Sequence, residues 1–98
     1  MSHSTIHVVA KITALPHQVE GTKELLLGLL EPTRQEKGCI KYDLFQNQDD
    51  PTDFTFVEEW QDRESLNQHL QTHHIQHALS LIPALMVAPP DIRVYNQI

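Results

Sequence analysis

The sequence lacks the motifs by which many cofactor-dependent and redox proteins are recognised. Its three glycines, Gly21, Gly28 and Gly38, are isolated, so there is no glycine-rich phosphate loop, and neither a Cys-x-x-Cys pair nor a Gly-x-Ser-x-Gly motif occurs. The single cysteine, Cys39, cannot form an intramolecular disulfide, and its place at the start of an apolar strand predicts a buried, unreactive thiol. Nucleotide- and flavin-dependent chemistry therefore has no visible binding motif.

Positive charge and long apolar runs are also scarce. Seven Lys and Arg stand against thirteen Asp and Glu, a formal net charge of −6 at pH 7, and the basic residues are scattered along the chain. Nucleic acid and anionic membranes are therefore unexpected partners. No stretch approaches the roughly 18 consecutive apolar residues of a membrane span, and the N-terminus has no basic segment followed by an apolar run. We expect a soluble, cytoplasmic protein.

What the sequence does contain is a regular succession of strand and helix patterns. Apolar and polar residues alternate, as is typical of strands, over 6–13, 40–47, 54–60 and 92–98. Apolar residues recur at helical spacing over 17–37 and 62–86. Pro32 predicts a kink or break near Gly28 to Pro32, and the second helical stretch is predicted to break between Thr72 and Ile75 and at Pro83.

The order β-α-β-β-α(α)-β predicts a single α+β domain over residues 1–98, with the ferredoxin-like split β-α-β topology. In this fold the antiparallel sheet carries helices on one face only. The other face still holds Val9, Phe45 and Tyr95, which is too apolar for a wholly solvated surface. A chain of 98 residues also buries only about 60 to 65% of its unfolded surface. We therefore expect a homodimer that packs sheet against sheet.

One segment combines a strand end with inward-facing histidines, and it carries a family resemblance. Its residues are Glu58 or Glu59, Trp60, His69, Leu70, Thr72 and His74, with Glu36-Lys37-Gly38-Cys39 and Tyr42 upstream. This pattern resembles the antibiotic biosynthesis monooxygenase family of small cofactor-free oxygenases. The resemblance implies a dimeric α/β barrel that oxidises a small aromatic, such as a quinol, anthrone or polyphenol, with O₂ and without a bound cofactor.

Three residues are the candidates for acid-base chemistry. His69 lies on the sheet-facing stripe of its helix and His74 at the predicted break, while Glu58 shares a strand face with aromatic residues that would raise its pKa. The alternatives are a core histidine bonded to a backbone carbonyl for His69 and a surface helix cap for His74. A register error of one residue would exchange Glu58 with Glu59.

The substrate would contact a mainly aromatic wall. The residues expected there are Trp60, Tyr42, Phe56 and His73. Filling the core is an alternative role for Trp60 that is compatible with lining a pocket.

Three other functions remain open on the sequence. His69, His73 and His77 recur every four residues and would form a metal site on an unbroken helix, but the predicted break argues against it, and we expect no metal. A tail, 85–90, resembles that of isomerases acting on phosphorylated diketones from quorum-signal degradation, although only Lys11, Lys41 and Arg93 could bind the phosphate. A haem or small-molecule binding module is a third possibility, but strand one offers His7 where haem-degrading relatives use an Asn.

Overall fold

The computed structural model describes residues 4–98 and shows the predicted order of elements. The strands are β1 (Ile6–Thr13), β2 (Cys39–Gln46), β3 (Asp53–Trp60) and β4 (Asp91–Tyr95). The helices are α1 (Val19–Leu27), α2 (Leu30–Arg34), α3 (Arg63–Leu70), α4 (His73–Ser80) and α5 (Ile82–Leu85), and a 3-10 turn, Pro16–Gln18, precedes α1. The strands form one antiparallel sheet in the order β2-β3-β1-β4, so the predicted α+β ferredoxin-like fold is confirmed.

The helices cover one face of the sheet, and the core lies between the two layers. The β1–β3 register places Val8 opposite Glu58 and Ala10 opposite Phe56, so the buried residues of both strands point to the same side. The sheet contributes Val8, Ala10, Ile12, Tyr42, Phe54, Phe56 and Trp60 to the core, and the helices contribute Leu26, Leu66, Ile75 and Ala78. No helix among residues 4–98 has the length and apolarity to cross a membrane.

The first predicted helix is divided in two, as the proline indicated. α1 ends at Leu27, and α2 begins at Leu30 with Pro32 in its first turn. A backbone N–H in the first turn has no partner within a helix, so proline costs little there. Both helices are therefore shorter than the amphipathic stretch 17–37 suggests.

The second helical region breaks at Gln71 and Thr72, just before the predicted place. Thr72 is the N-cap of α4, since its hydroxyl oxygen accepts a hydrogen bond from the N–H of Ile75. The same hydroxyl donates to the carbonyl of His69, over 2.7 Å. Thr72 thus ends one helix and begins the next, and Pro83 lies in the first turn of a separate helix, α5.

The start of β2 differs from the sequence prediction. The pairing of β2 with β3 shifts between Cys39 and Lys41, so Ile40 is an extra residue in the strand. Cys39 therefore lies on the core side opposite Trp60, and Ile40 is exposed rather than sharing the face of Tyr42. Cys39 is half-buried instead of fully buried. Its partial burial raises the pKa of its thiol to about 11, helped by nearby carboxylates, which keeps the thiol protonated at neutral pH.

Gly38 closes the turn between α2 and β2. Its φ of +91° lies in the region that only glycine adopts without strain, and a Cβ here would collide with the side chain of Ser65 on α3. The carbonyl of Gly38 accepts a hydrogen bond from the N–H of Gln61, over 2.8 Å. The turn therefore lies directly against the strand end and helix start that follow Trp60.

The uncovered face of the sheet has the apolar character that the sequence predicted. Phe45 and Tyr95 are about half exposed, at 54% and 47%, and Val9 lies between them on β1 opposite Val57. β4 ends at Tyr95, three residues before the end of the alternating pattern 92–98.

Candidate functional site

Aromatic side chains on β2 and β3 form the floor of the site. Tyr42 stacks on Phe56 with ring centroids 4.7 Å apart, and Trp60 meets Tyr42 edge to face at 6.5 Å. All three are buried. They lie on one face because side chains alternate along strands and Tyr42 pairs with Glu58, which lies between Phe56 and Trp60 on that face. Three of the four predicted wall residues, Trp60, Tyr42 and Phe56, therefore lie together. Tyr42 and Phe56 line the cavity described below, whereas Trp60 is buried beside it and fills the core.

Glu58 is a buried carboxyl group on the same floor. Its Oε1 accepts a hydrogen bond from the indole Nε1–H of Trp60, over 2.8 Å. Burial raises the pKa of Glu58 to about 7, against the lowering effect of this hydrogen bond and with help from the negative charge of Glu36. A carboxyl group that titrates near neutrality can act as base or acid. Glu59 points to the other face, where it accepts a hydrogen bond from Thr5.

His69 lies above this floor on α3. Its ring centroid is 4.6 Å from that of Trp60 and 5.5 Å from that of Tyr42, and its side chain is buried. Its Nδ1 lies 2.8 Å from Oε2 of Glu36, so the ring bonds a carboxylate and not a backbone carbonyl. Burial lowers the pKa of His69, while the hydrogen bond and charge of Glu36 oppose that shift. With Nδ1 held by Glu36, Nε2 is the nitrogen left for a substrate.

His74 reaches the same carboxylate from α4. Its Nε2 lies 2.7 Å from Oε2 of Glu36 and 3.3 Å from the hydroxyl of Thr72. It is therefore not a surface cap. The break at Thr72 places His74 in the first turn of α4, where its side chain turns back toward α3.

Glu36 is the site residue that the sequence analysis did not assign. It follows α2, and its backbone is fixed by hydrogen bonds to Thr33 and from Cys39. The available signal was its place two residues before Gly38, within the segment that carried the family resemblance. A lone Glu near a helix end is otherwise most often a solvated side chain, so the pattern alone gave it no role.

A cavity of about 70 Å³ lies between the sheet and the helices α1, α3, α4 and α5. Its lining is mainly apolar, and the titratable groups on it are Tyr42, Glu58 and His69. Among its lining residues Ile92 of β4 is the one that is exposed, at 40%. Ligand pockets usually enclose about 300 to 1,000 Å³, so this cavity is smaller than a usual pocket and would have to enlarge to admit an aromatic substrate.

His73 and His77 do not lie at this cavity, which corrects the prediction that His73 contacts substrate there. α4 directs Ile75, Ala78 and Leu79 inward, and His73 and His77 consequently fall on its exposed side. They line an outer groove between α1 and α4, together with His74 and Glu24. The histidine row His69, His73 and His77 is not formed because the helix ends at Leu70.

The residues that could hold a metal are different ones. Ligand atoms of Glu36, His69 and His74 all lie within 4.8 Å of one another, the one such group found among residues 4–98. Two imidazoles and a carboxylate are a donor set that binds transition metals. At 2.7 and 2.8 Å, however, the nitrogens are hydrogen-bonded to the carboxylate, and an ion with bonds of about 2.1 Å would have to push them apart.

Comparison with known proteins gives consistent matches. A family model described as antibiotic biosynthesis monooxygenase matches residues 5–80. The uncharacterized protein sll1783 of Synechocystis is 31% identical over 91 residues, which cover 93% of this chain and 62% of that protein, so the chain spans less than two thirds of this relative. The crystal structure of PA3566 from Pseudomonas aeruginosa has a TM-score of 0.92 at 30% identity, over 97% of this chain and 95% of that one. A crystal structure named antibiotic biosynthesis monooxygenase has a TM-score of 0.88 at 34% identity, over 95% and 98%.

The raised pKa of the buried Glu58 carboxyl should make the free energy of unfolding depend on pH. Between its ordinary pKa of 4.5 and about 7, the folded protein holds a proton that the unfolded chain has released, so this group lowers wild-type stability as pH rises through that window. Glu58→Gln keeps an oxygen for the Trp60 N–H but cannot ionise. We expect it to match wild type at pH 4.5 and below and to exceed it by roughly 2 to 3 kcal/mol above pH 7.

Urea unfolding followed by tryptophan fluorescence over this pH range measures the difference. Glu59→Gln, the neighbouring change on the opposite face, is the matched control and should show no such rise. Parallel pH profiles for Glu58→Gln and wild type would contradict the buried, proton-holding carboxyl.

Proposed function

The chain belongs to the antibiotic biosynthesis monooxygenase family, and from that premise we propose that it oxidises a small phenolic aromatic, such as a quinol or anthrone, with O₂ and without a bound cofactor. The observation that carries the proposal is the juxtaposition of two buried groups, Glu58 and His69, with an aromatic floor inside one apolar cavity. Each of these groups could exchange a proton with a flat substrate stacked on the floor.

In such a reaction the main chemical task of the protein is proton transfer. An electron-rich phenol becomes able to reduce O₂ when it loses its proton, and in this proposal Nε2 of His69 takes that proton. One oxygen atom then enters the ring system and the other leaves as water, which takes up the two hydrogens that the substrate loses. Glu58, with a pKa of about 7, can be the acid that protonates the departing oxygen.

The apolar lining of the cavity also favours this chemistry. Its apolar walls exclude water, so charge that develops on the substrate is balanced by fixed groups and not by solvent. The pair formed by His69 and Glu36 offsets the cost of placing a positive imidazolium in this interior, since the two are 2.8 Å apart. The rings of Tyr42 and Phe56, which line the cavity, provide stacking surface for the substrate.

The two other candidate functions fit the cavity less well. A phosphorylated diketone needs a cation, and among the lining residues that the structure describes there is neither Lys nor Arg. Arg93 lies on the outer sheet face opposite Val9. The cavity of about 70 Å³ would also have to enlarge far more for haem than for a quinol or an anthrone. Proton transfer between carbons of an uncharged ketone remains compatible with Glu58 and His69, and the assay below distinguishes it because such a reaction consumes no O₂.

We also propose that the functional unit is a homodimer formed through the uncovered sheet face. Phe45 and Tyr95 lie on this face about half exposed, with Val9 and Val57 between them. Exposed aromatic residues of this kind are enriched in interfaces, and a second copy of the sheet would cover them.

The activity is tested by O₂ consumption. Chelator-treated protein is given a panel of single-ring and multi-ring quinols and anthrones, and uptake is compared with uncatalysed autoxidation. We expect uptake on at least one member, unchanged by chelator, and a loss of 100-fold or more, about the value of a general base, in His69→Gln. Glu58→Gln should also be impaired.

His73→Gln is the matched control, because it removes a histidine of α4 that is exposed and outside the cavity. It should retain wild-type uptake. Absence of uptake above autoxidation across the panel, or full activity in His69→Gln, would contradict the proposal. Restoration of uptake only by added metal would contradict its cofactor-free character.

The dimer is tested by light scattering of the protein and of Phe45→Lys. A charge placed on the apolar face should convert a dimer to a monomer with unchanged circular dichroism. Leu27→Lys, which alters an equally exposed apolar residue on the helical side, should stay dimeric. A monomeric wild-type protein, or equal behaviour of the two variants, would contradict this assembly.

A further inference from the structure

The cluster of Glu36, His69 and His74 joins two separate spaces. His69 lines the inner cavity, and His74 lines the outer groove between α1 and α4. Glu36 lies between them. Side-chain exposure rises in the same order, from 4% for His69 through 14% for Glu36 to 24% for His74. The three residues thus form a hydrogen-bonded path from the interior to solvent.

A single oxygen atom connects both histidines. Nδ1 of His69 and Nε2 of His74 lie 2.8 and 2.7 Å from the same Oε2 of Glu36. A carboxylate can only accept hydrogen bonds, so both rings must donate to it. One carboxylate balances one positive charge, and a second imidazolium in this space would be repelled by the first. The cluster therefore accommodates at most one imidazolium, on either His69 or His74.

We propose that Glu36 and His74 serve as the proton outlet of His69, so that one positive charge alternates between the inner and the outer imidazole across Oε2 of Glu36. This inference rests on the proposed function, in which His69 takes the substrate proton. When Nε2 of His69 accepts that proton, His74 releases one proton from its ring to water in the groove. Glu36 stays a carboxylate and the charge of the cluster is unchanged. When His69 returns its proton as the second oxygen leaves as water, His74 takes one proton back from the groove, so a full turnover releases no net proton.

The imidazoles of His69 and His74 differ in burial. The interior penalises an imidazolium at His69, whereas His74 borders solvent, so before substrate binds burial favours the neutral form of His69. His69 is then neutral, with Nδ1–H bonded to Glu36 and Nε2 free to accept. This is the state that a base needs. His74 and Glu36 are positioning residues in this scheme, because neither lines the cavity.

Other titratable groups around His69 do not replace this route. Tyr42 and Cys39 stay protonated because burial raises the pKa of each, that of Cys39 to about 11. Glu58 approaches from β3 but bonds Trp60 and not the histidines. In the groove, His73, His77 and Glu24 border His74 and share its access to solvent. Within the described chain, Glu36 is the group that links the two imidazoles.

The coupling is tested without substrate by NMR of protein labelled with ¹⁵N in its histidines. The His69 titration is followed in wild type, His74→Gln, Glu36→Gln and the control His73→Gln. Removing the outer imidazole should move the His69 titration to higher pH, and removing the carboxylate should move it to lower pH. His73→Gln should leave it unchanged. A His69 curve that is the same in wild type and His74→Gln would overturn the proposal.

The outlet itself is tested during turnover. In His74→Gln, O₂ uptake should fall about 10-fold or more and should then rise with the concentration of imidazole buffer, which can enter the groove, whereas wild-type uptake should not depend on buffer. If His74→Gln consumes O₂ at the wild-type rate, the role of His74 as proton outlet is contradicted, while the proposed oxygenase activity is not. If the titrations of His69 and His74 are coupled but no substrate gives O₂ uptake, the proton path is supported and the proposed oxygenase activity is contradicted.

Discussion

The site depends on one carboxylate oxygen, Oε2 of Glu36, which holds together three segments of the helical layer. It bonds His69 at the end of α3 and His74 at the start of α4, and its own backbone is fixed in the turn that Gly38 closes. Each segment begins or ends at a break in the layer. Without these breaks His69 and His74 would lie on one continuous helix, five residues apart and on different faces. The interruptions that shorten the helices are therefore what create the cluster.

The small core of this protein contains titratable groups, and burying them costs free energy of folding. Glu58 and His69 are both almost fully enclosed, and burial disfavours the charged form of each. The hydrogen bonds from Trp60 to Glu58 and from His69 to Glu36 satisfy these groups, but apolar residues of similar size would be expected to stabilise the core more. Groups retained at such a cost, in a cavity, are candidates for function and not for stability.

Most of the fold, and part of the site, could be predicted because their physical signals are local. Alternation located the strands and placed Glu58 on the face of Phe56 and Trp60, and Pro32 marked the division of the first helix. The bulge at Ile40 could not be predicted, since it depends on how β2 pairs with β3 and reverses the facing of the residues before it. Glu36 escaped assignment for the same kind of reason. Glu36 meets the two histidines only because α3 and α4 pack against the turn before β2, and the spacing of residues in the sequence does not predict that packing.

The central claim is that the cavity binds a phenol beside His69 and takes its proton. Titration with a nitrophenol measures this directly, since its anion absorbs visible light and it does not react with O₂. At a pH where the free compound is mostly neutral, we predict that protein induces the absorbance of the anion, saturating at one per chain, and that His69→Gln abolishes it while His73→Gln does not. Binding of the neutral phenol without ionisation, or the same ionisation by His69→Gln, would contradict the account.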